Sequence, residues 1–144
     1  MNERTKALNN FLSTVRSANI RMMRAEDDSS IDIPITNDKW VYDEVTGFSQ
    51  RLCSLDQEDD FNITVINVKV KPGGYLPPHR HQSEEHVYVV AGSYTDPVNK
   101  QTFNIGDVQT IPPLTLHASE SHDGCLLLVT WQPPFPTTIR EAQY

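Results

Sequence analysis

Two histidines one residue apart, His79 and His81, and a glutamate at position 85 are the residues whose types and spacing could do chemistry in this chain. On an extended strand, residues i and i+2 point to the same face, so the two imidazoles can aim at one point while Arg80 turns away. Glu85 can add a carboxylate from the next strand. Neutral imidazole and carboxylate together suit Fe(II), Mn(II), Ni(II), Cu(II) or Zn(II), and a site with fewer than six protein donors leaves positions for water or substrate. A fourth donor has to come from elsewhere. His117 is the candidate, because it follows the Gly106-Asp107 hairpin and the Pro112-Pro113 turn, and a returning strand can bring it beside the first three.

The elements that must position these groups read as short strands. Segments 31–35, 39–43, 48–55 and 61–71 are rich in β-branched and aromatic residues and are separated by Asn-Asp, Thr-Gly and Gln-Glu-Asp-Asp turns. Segment 61–70 carries apolar side chains on both faces, which predicts a central strand covered on both sides. Gly73-Gly74 ends it where positive φ is needed, and Pro77-Pro78 fixes φ on the approach to His79. A strand at 87–90 is turned by Ala91-Gly92-Ser93. Thr95-Asp96-Pro97 and Asn99-Lys100 mark a hairpin tip, and strands at 101–105 and 108–111 flank Gly106-Asp107. A strand at 115–119, a turn at His122-Asp123-Gly124 and an apolar strand at 125–131 complete the series. The Pro-rich stretch 132–136 reads as an extended surface tail. Many short strands with frequent turn signals predict an antiparallel sandwich or barrel.

The first 25 residues differ from the rest. Five of the twelve Lys and Arg lie there (Arg4, Lys6, Arg16, Arg21 and Arg24), against the single acid Glu3. Leu8, Phe11, Leu12, Val15, Ala18 and Met22 recur at spacings of three and four, which predicts an amphipathic helix that docks on the barrel or on a second subunit. A basic amphipathic leader also suits an organelle transit peptide or a membrane-surface element. Residues 26–30, Glu-Asp-Asp-Ser-Ser, break the pattern and read as a linker. The chain thus divides into a helix and linker at 1–30 and a β-domain at 31–144.

A length of 144 residues is one domain's worth and enough to bury a core. The net charge of -7 argues against a general affinity for nucleic acid, which relies on clustered Lys and Arg. No apolar run approaches the roughly 18 residues that span a bilayer. With only Cys53 and Cys125, and nothing resembling a signal peptide, reduced thiols in a cytoplasm are expected, both buried and inert.

The spacing Gly73, five residues, His79-x-His81, three residues, Glu85, six residues, Gly92 resembles the first motif of the cupins. The second motif is matched by Gly106, Pro112 and His117, with Leu114 in place of its glycine and Ser121 in place of its asparagine. Thr95-Asp96, Phe103-x-x-Gly106-Asp107, Pro112-Pro113, His117-Ala118 and Ser121-x-x-Gly124-Cys125 resemble the ChrR-like branch of that superfamily. The likeness spans roughly residues 40 to 133. It implies a jelly-roll β-barrel, a homodimer, and one divalent transition metal per chain held by His79, His81, Glu85 and His117. Both counts, four after His81 and seven before Gly92, choose Glu85 over Glu84. Alternation then sends Glu84 and His86 outward, and His122 sits in a solvated turn.

The same resemblance implies two functions of different kinds. One is a non-haem Fe(II) dioxygenase that cleaves a small chelating oxo or enol substrate, with Glu85 as its catalytic proton carrier and Tyr75, Tyr88 and Trp131 as pocket walls. The other is a non-catalytic module in which zinc or another ion stabilises the fold or reports a stress. Sugar or organic-acid isomerisation on the same barrel is a third.

Overall fold

The structure is a computed structural model that describes residue 2 and residues 15–56, 63–132 and 137–142. Twelve strands follow in chain order. They are β1 Val15–Arg24, β2 Ser30–Thr36, β3 Val41–Asp43, β4 Phe48–Asp56, β5 Ile63–Val70 and β6 Gly74–Arg80. The second half holds β7 Glu85–Asp96, β8 Gln101–Asn104, β9 Val108–Ile111, β10 His117–Ser121, β11 Cys125–Trp131 and β12 Thr137–Ala142. Every pairing is antiparallel. The order β12-β1-β6-β10-β7-β11-β5-β4-β3, with β2 on β1 and β8 and β9 on β7, wraps the sheet into a nearly closed barrel. Among the described residues no helix is long and apolar enough to cross a membrane.

Strand β7 joins the two layers. Glu85 to Gly92 pairs with β11, and Ser93 to Asp96 pairs with β8. The change of partner occurs at Gly92, whose φ is +74° and where a Cβ would come within 2.3 Å of the Gly124 carbonyl oxygen. Only glycine combines that backbone with that approach. The expected turn at Ala91-Gly92-Ser93 is therefore a bend inside one long strand. At the other expected glycine pair, Gly73 alone takes positive φ (+82°), while Gly74 is required by closeness, since its Cβ would lie 2.4 Å from Val70 Cγ1.

The core lies between the layers and follows strict alternation. Ile66, Val68 and Val70 of β5, Val87 and Val89 of β7, and Leu127, Val129 and Trp131 of β11 all point inward. The prediction that residues 61–70 are covered on both sides is corrected here. β5 is central in the sheet, between β4 and β11, but its outer face meets solvent, with Lys69 exposed and its Nζ 4.0 Å over the Trp40 ring. Residues 57–62, with Phe61 and the end of the expected turn, lie outside the described residues.

The N-terminal segment also departs from expectation. Val15–Arg24 is a strand, not the second half of a helix, and Leu8, Phe11 and Leu12 lie outside the described residues. β1 pairs along its length with both β2 and β12, which satisfies backbone groups on both edges, and it buries Ala18, Ile20 and Met22 at period two. Residues 26–30 are accordingly a hairpin turn and the start of β2, not a linker. Arg24 N–H donates to Ser29 O at 2.8 Å and Asp28 takes φ +55°. Of the Pro-rich stretch, 133–136 lie outside the described residues, and the chain afterwards pairs with β1 as β12. Cys53 is exposed on β4, contrary to the buried thiol expected, while Cys125 is half-buried and both are free.

Two substitutions check this packing. Ile66 is 0% exposed, so Ile66→Ala should cost about 2–5 kcal/mol in urea unfolding. Val90→Ala on the 51% exposed outer face should stay within about 0.5 kcal/mol. Leu114 holds φ +61°, and relief of left-handed strain by Leu114→Gly should raise stability by about 0.5–1 kcal/mol after the added freedom of the unfolded chain is subtracted.

Candidate metal centre

Strand alternation and register bring the expected donors together. His79 and His81 leave the end of β6, and His117 opens β10 directly across from His79 in the β6–β10 ladder. Glu85 opens β7, flanked by Ile111 of β9 and Trp131 of β11. All four are buried, at 1%, 5%, 2% and 6% exposure for His79, His81, His117 and Glu85. One ligand atom from each histidine falls within 4.8 Å of the others. Glu85 joins them at His81, its Oε2 standing 3.2 Å from His81 Nε2.

Backbone carbonyls fix two of the rings. His79 Nδ1 donates to Pro77 O at 2.7 Å and His81 Nδ1 donates to Ser83 O at 2.8 Å. A carbonyl can only accept, so Nδ1 carries the proton and the Nε2 lone pair of each neutral ring is left for the site. His81 Nε2 then faces the Glu85 carboxylate and His117 Nε2, each at 3.2 Å, the imidazole nitrogen acting as donor or acceptor according to its tautomer. His117 Nδ1 is buried with no partner among the described residues. Atoms this close must share a proton or a metal ion among them, and the donor set fits a divalent transition metal.

The electrostatics follow from the same geometry. Burial pulls His117 down from 6.5 to about 3, against the pull of the Glu85 charge. Burial also lowers His79, despite its Pro77 hydrogen bond. For His81, burial is outweighed by the Glu85 charge and hydrogen bonds, and its pKa rises. Glu85 is buried too, yet the surrounding histidines, His81 first, hold its carboxyl down at about 2. At neutral pH Glu85 is a carboxylate, and His79 and His117 are neutral.

Two supporting residues carry no sequence motif of their own. Trp131 Nε1 donates to Glu85 Oε2, and the indole stands edge-on to His81 with ring centroids 6.2 Å apart. Trp131 was expected only as a pocket wall, and the wall position is also correct. Asp96 is fully buried at the end of β7. Its carboxylate accepts from Val98 N, Asn99 N and Nδ2, Gln109 Nε2 and Ala118 N at 2.7–3.3 Å, tying the β7–β8 hairpin and β9 to the residue after His117. The Asp96-Pro97 turn signal was visible; the distant partners were not. Tyr75 and Tyr88 are partly exposed and do not line the cavity. His86 reaches outward, its Nδ1 3.3 Å from Thr110 Oγ1, Glu84 is half-buried beside it, and His122 is solvated.

Behind the donors lies a cavity of about 60 Å³, bordered by His79, Glu85 and His117 and walled by apolar side chains of both layers, with Gln50 and Ser119 the uncharged polar groups.

The lowered pKa values of His79 and His117 set the sign of an acid response in the metal-free protein. Each contributes stability that is present above the unfolded value near 6.5 and lost as pH falls, for His117 down to about 3. The raised His81 runs the other way, its contribution complete below 6.5 and lost at higher pH. Two groups against one predict that the urea midpoint of chelator-treated protein falls between pH 6.5 and 5, and that His117→Gln flattens the slope. An unchanged slope in the variant would show that His117 is not held neutral.

The comparisons with known proteins agree with this architecture. The model of the ChrR cupin-like domain matches residues 31–134. An RmlC-like cupin from Shewanella frigidimarina superposes with a TM-score of 0.58 at 20% identity, over 66% of this chain and 83% of that one. KdgF from Halomonas sp. gives 0.58 at 21% identity, over 66% and 86%. The complex of Rhodobacter sphaeroides SigE with the anti-sigma ChrR gives 0.54 at 19% identity over 65% of this chain, which spans about half (48%) of the matched one. No curated protein matches the chain. A family match over most of the sequence, on a barrel that carries the histidines where the cupin motifs put them, means that the chain belongs to the ChrR cupin-like domain family.

Proposed function

We propose that the protein is a metal-dependent oxygenase of small molecules, in which His79, His81, His117 and Glu85 hold one divalent metal ion, iron(II) for this chemistry. The observation that carries the reading is the cluster of three buried histidines with Glu85 against His81, two of the histidines and Glu85 bordering a mostly apolar cavity. A purely structural site needs the donors but not the cavity. Iron(II) held there supplies Lewis acidity toward a chelating oxygen and the electrons that dioxygen chemistry requires.

The protein's own groups do the rest. The Nδ1 hydrogen bonds to Pro77 and Ser83 lock the orientation of His79 and His81 and raise their basicity as ligands. Trp131 holds one oxygen of Glu85, so the other is the oxygen able to take a proton. Glu85 is ionised at neutral pH but, held at about 2, is a weak base, so it would take the proton of an enol O–H that bound metal had made acidic. The apolar walls keep bulk water from the anion once formed.

A second reading, a zinc-holding module without catalysis, is favoured by one observation. Four protein donors are what zinc takes when tetrahedral, and a cavity of about 60 Å³ leaves little room beside them.

Elemental analysis of untagged protein, made with iron, manganese, nickel and zinc supplied equally, decides between them. The oxygenase reading expects about one iron per chain and oxygen uptake with small diketones or hydroxy ketones. Zinc that survives dialysis, with no oxygen uptake by the iron-loaded protein, selects the second reading. His117→Ala should lose the metal in either case, and full occupancy in that variant would remove His117 from the ligand set.

A further inference from the structure

The family match begins at Ile31, so β1 and the turn after it lie outside it. Yet β1 forms one wall of the cavity. Ile20 and Met22 line it from β1, together with Ile33, the cross-strand partner of Ile20 on β2. This wall is registered directly on the metal centre, because Arg24 of β1 pairs with His79 and Met23 with Arg80. Ala25 N–H donates to Pro78 O at 3.0 Å, and the Arg80 guanidinium pairs with Asp28 in the hairpin turn, so the tip is fastened on both sides of His79.

The cavity's size and polarity constrain what can enter. About 60 Å³ is room for about four water-sized groups. Its titratable groups are His79, His117 and Glu85, Gln50 and Ser119 add uncharged polar atoms, and β1 contributes only the aliphatic Ile20 and Met22. A molecule as large as an aryl ketone needs Ile20 or Met22 displaced before it fits.

We propose that Ile20 and Met22 are specificity-determining residues, and that the site takes a ligand with a chelating oxygen head and a short aliphatic tail whose length Met22 limits. This rests on the metal-centre reading above. The head meets the metal held by the histidines and Glu85; the tail lies along β1. Ligand size is thereby set by a strand outside the family match, while the ligand set lies inside it.

The test uses Co(II)-loaded full-length protein, titrated with acetohydroxamate, butyrohydroxamate and hexanohydroxamate while the cobalt absorption bands are followed. In the wild type, affinity should stay level or fall as the tail lengthens. In Met22→Ala it should rise by roughly fourfold for each methylene that finds room. Ile20→Val, a smaller change that keeps the strand's β-branched character, should shift the same profile in the same direction by less. Wild-type and Met22→Ala proteins that both take up cobalt and show one and the same length dependence overturn the proposal and leave the metal centre standing. Failure of the wild type to bind cobalt at all overturns both, and is told apart by the absence of the cobalt bands before any hydroxamate is added. Should Met22→Ala take up no cobalt while the wild type does, the Ile20→Val profile decides alone.

Discussion

The structure depends on the crowding of lone pairs around His81 Nε2. Within 3.2 Å stand a carboxylate oxygen and a second imidazole nitrogen, with His79 completing a group inside 4.8 Å. In the dry interior of a barrel such a group is costly unless a positive charge stands within it. A proton on His81 meets part of that need: the Glu85 charge and hydrogen bonds raise its pKa, while burial lowers those of His79 and His117. A divalent ion meets more of it, and relieves His117 as well. On the proposed reading, the barrel's stability and its chemistry are tied to the same metal occupant.

Holding that arrangement takes a frame stiffer than a hairpin. Carbonyls at Pro77 and Ser83 set the tautomers of His79 and His81, Trp131 restrains Glu85, and Asp96 gathers five donors from three stretches of chain around the base of the His117 strand. Burial alone opposes an ionised Asp96, but its hydrogen bonds to Asn99, Gln109 and Ala118 outweigh it and lower its pKa. These are contacts between residues far apart in sequence. They join the hairpin, the metal strand and the layer-crossing strand β7, so a donor cannot shift without disturbing the barrel.

That is also where sequence reading succeeds and fails. Three expected donors, His79, His81 and His117, fall within 4.8 Å of one another, and Glu85 reaches His81, because their spacing is local and obeys strand alternation within each motif. Leu114 shows how strong the turn is, since it takes φ +61° where the motif has glycine, and its N–H still reaches His81 O at 2.8 Å. The N-terminal strand was misread because Ala18 and Met22 suit a helix and a strand equally, being four apart. Ile20 breaks the tie in favour of period two, and the partners that settle it, β2 and β12, include one more than a hundred residues away. Phe61 to Val70 misled for the opposite reason. Its second apolar row reads as buried, but among the described residues that outer face is only partly covered, with Val65 and Asn67 half-buried and Lys69 exposed. Gly92 looked like a turn because a sheet-switching bend and a chain reversal use the same positive φ.

The misread strand matters most to function. A barrel that only had to enclose a metal could end its cover at β2, inside the family match. Here β1 is laid against β6 at the metal-binding residue itself, and the two side chains it turns inward, Ile20 and Met22, are aliphatic and close off the space beside the donors. An apolar wall there raises the cost of an unpaired charge in the site and so favours a neutral assembly of metal, carboxylate and anionic ligand over water. On the proposals above, the same wall limits the ligand's bulk, and chelation chemistry and size selection, separate in sequence, are joined at one backbone pairing, Arg24 with His79. Sequence change in β1 can alter which small molecule is admitted without touching a single donor.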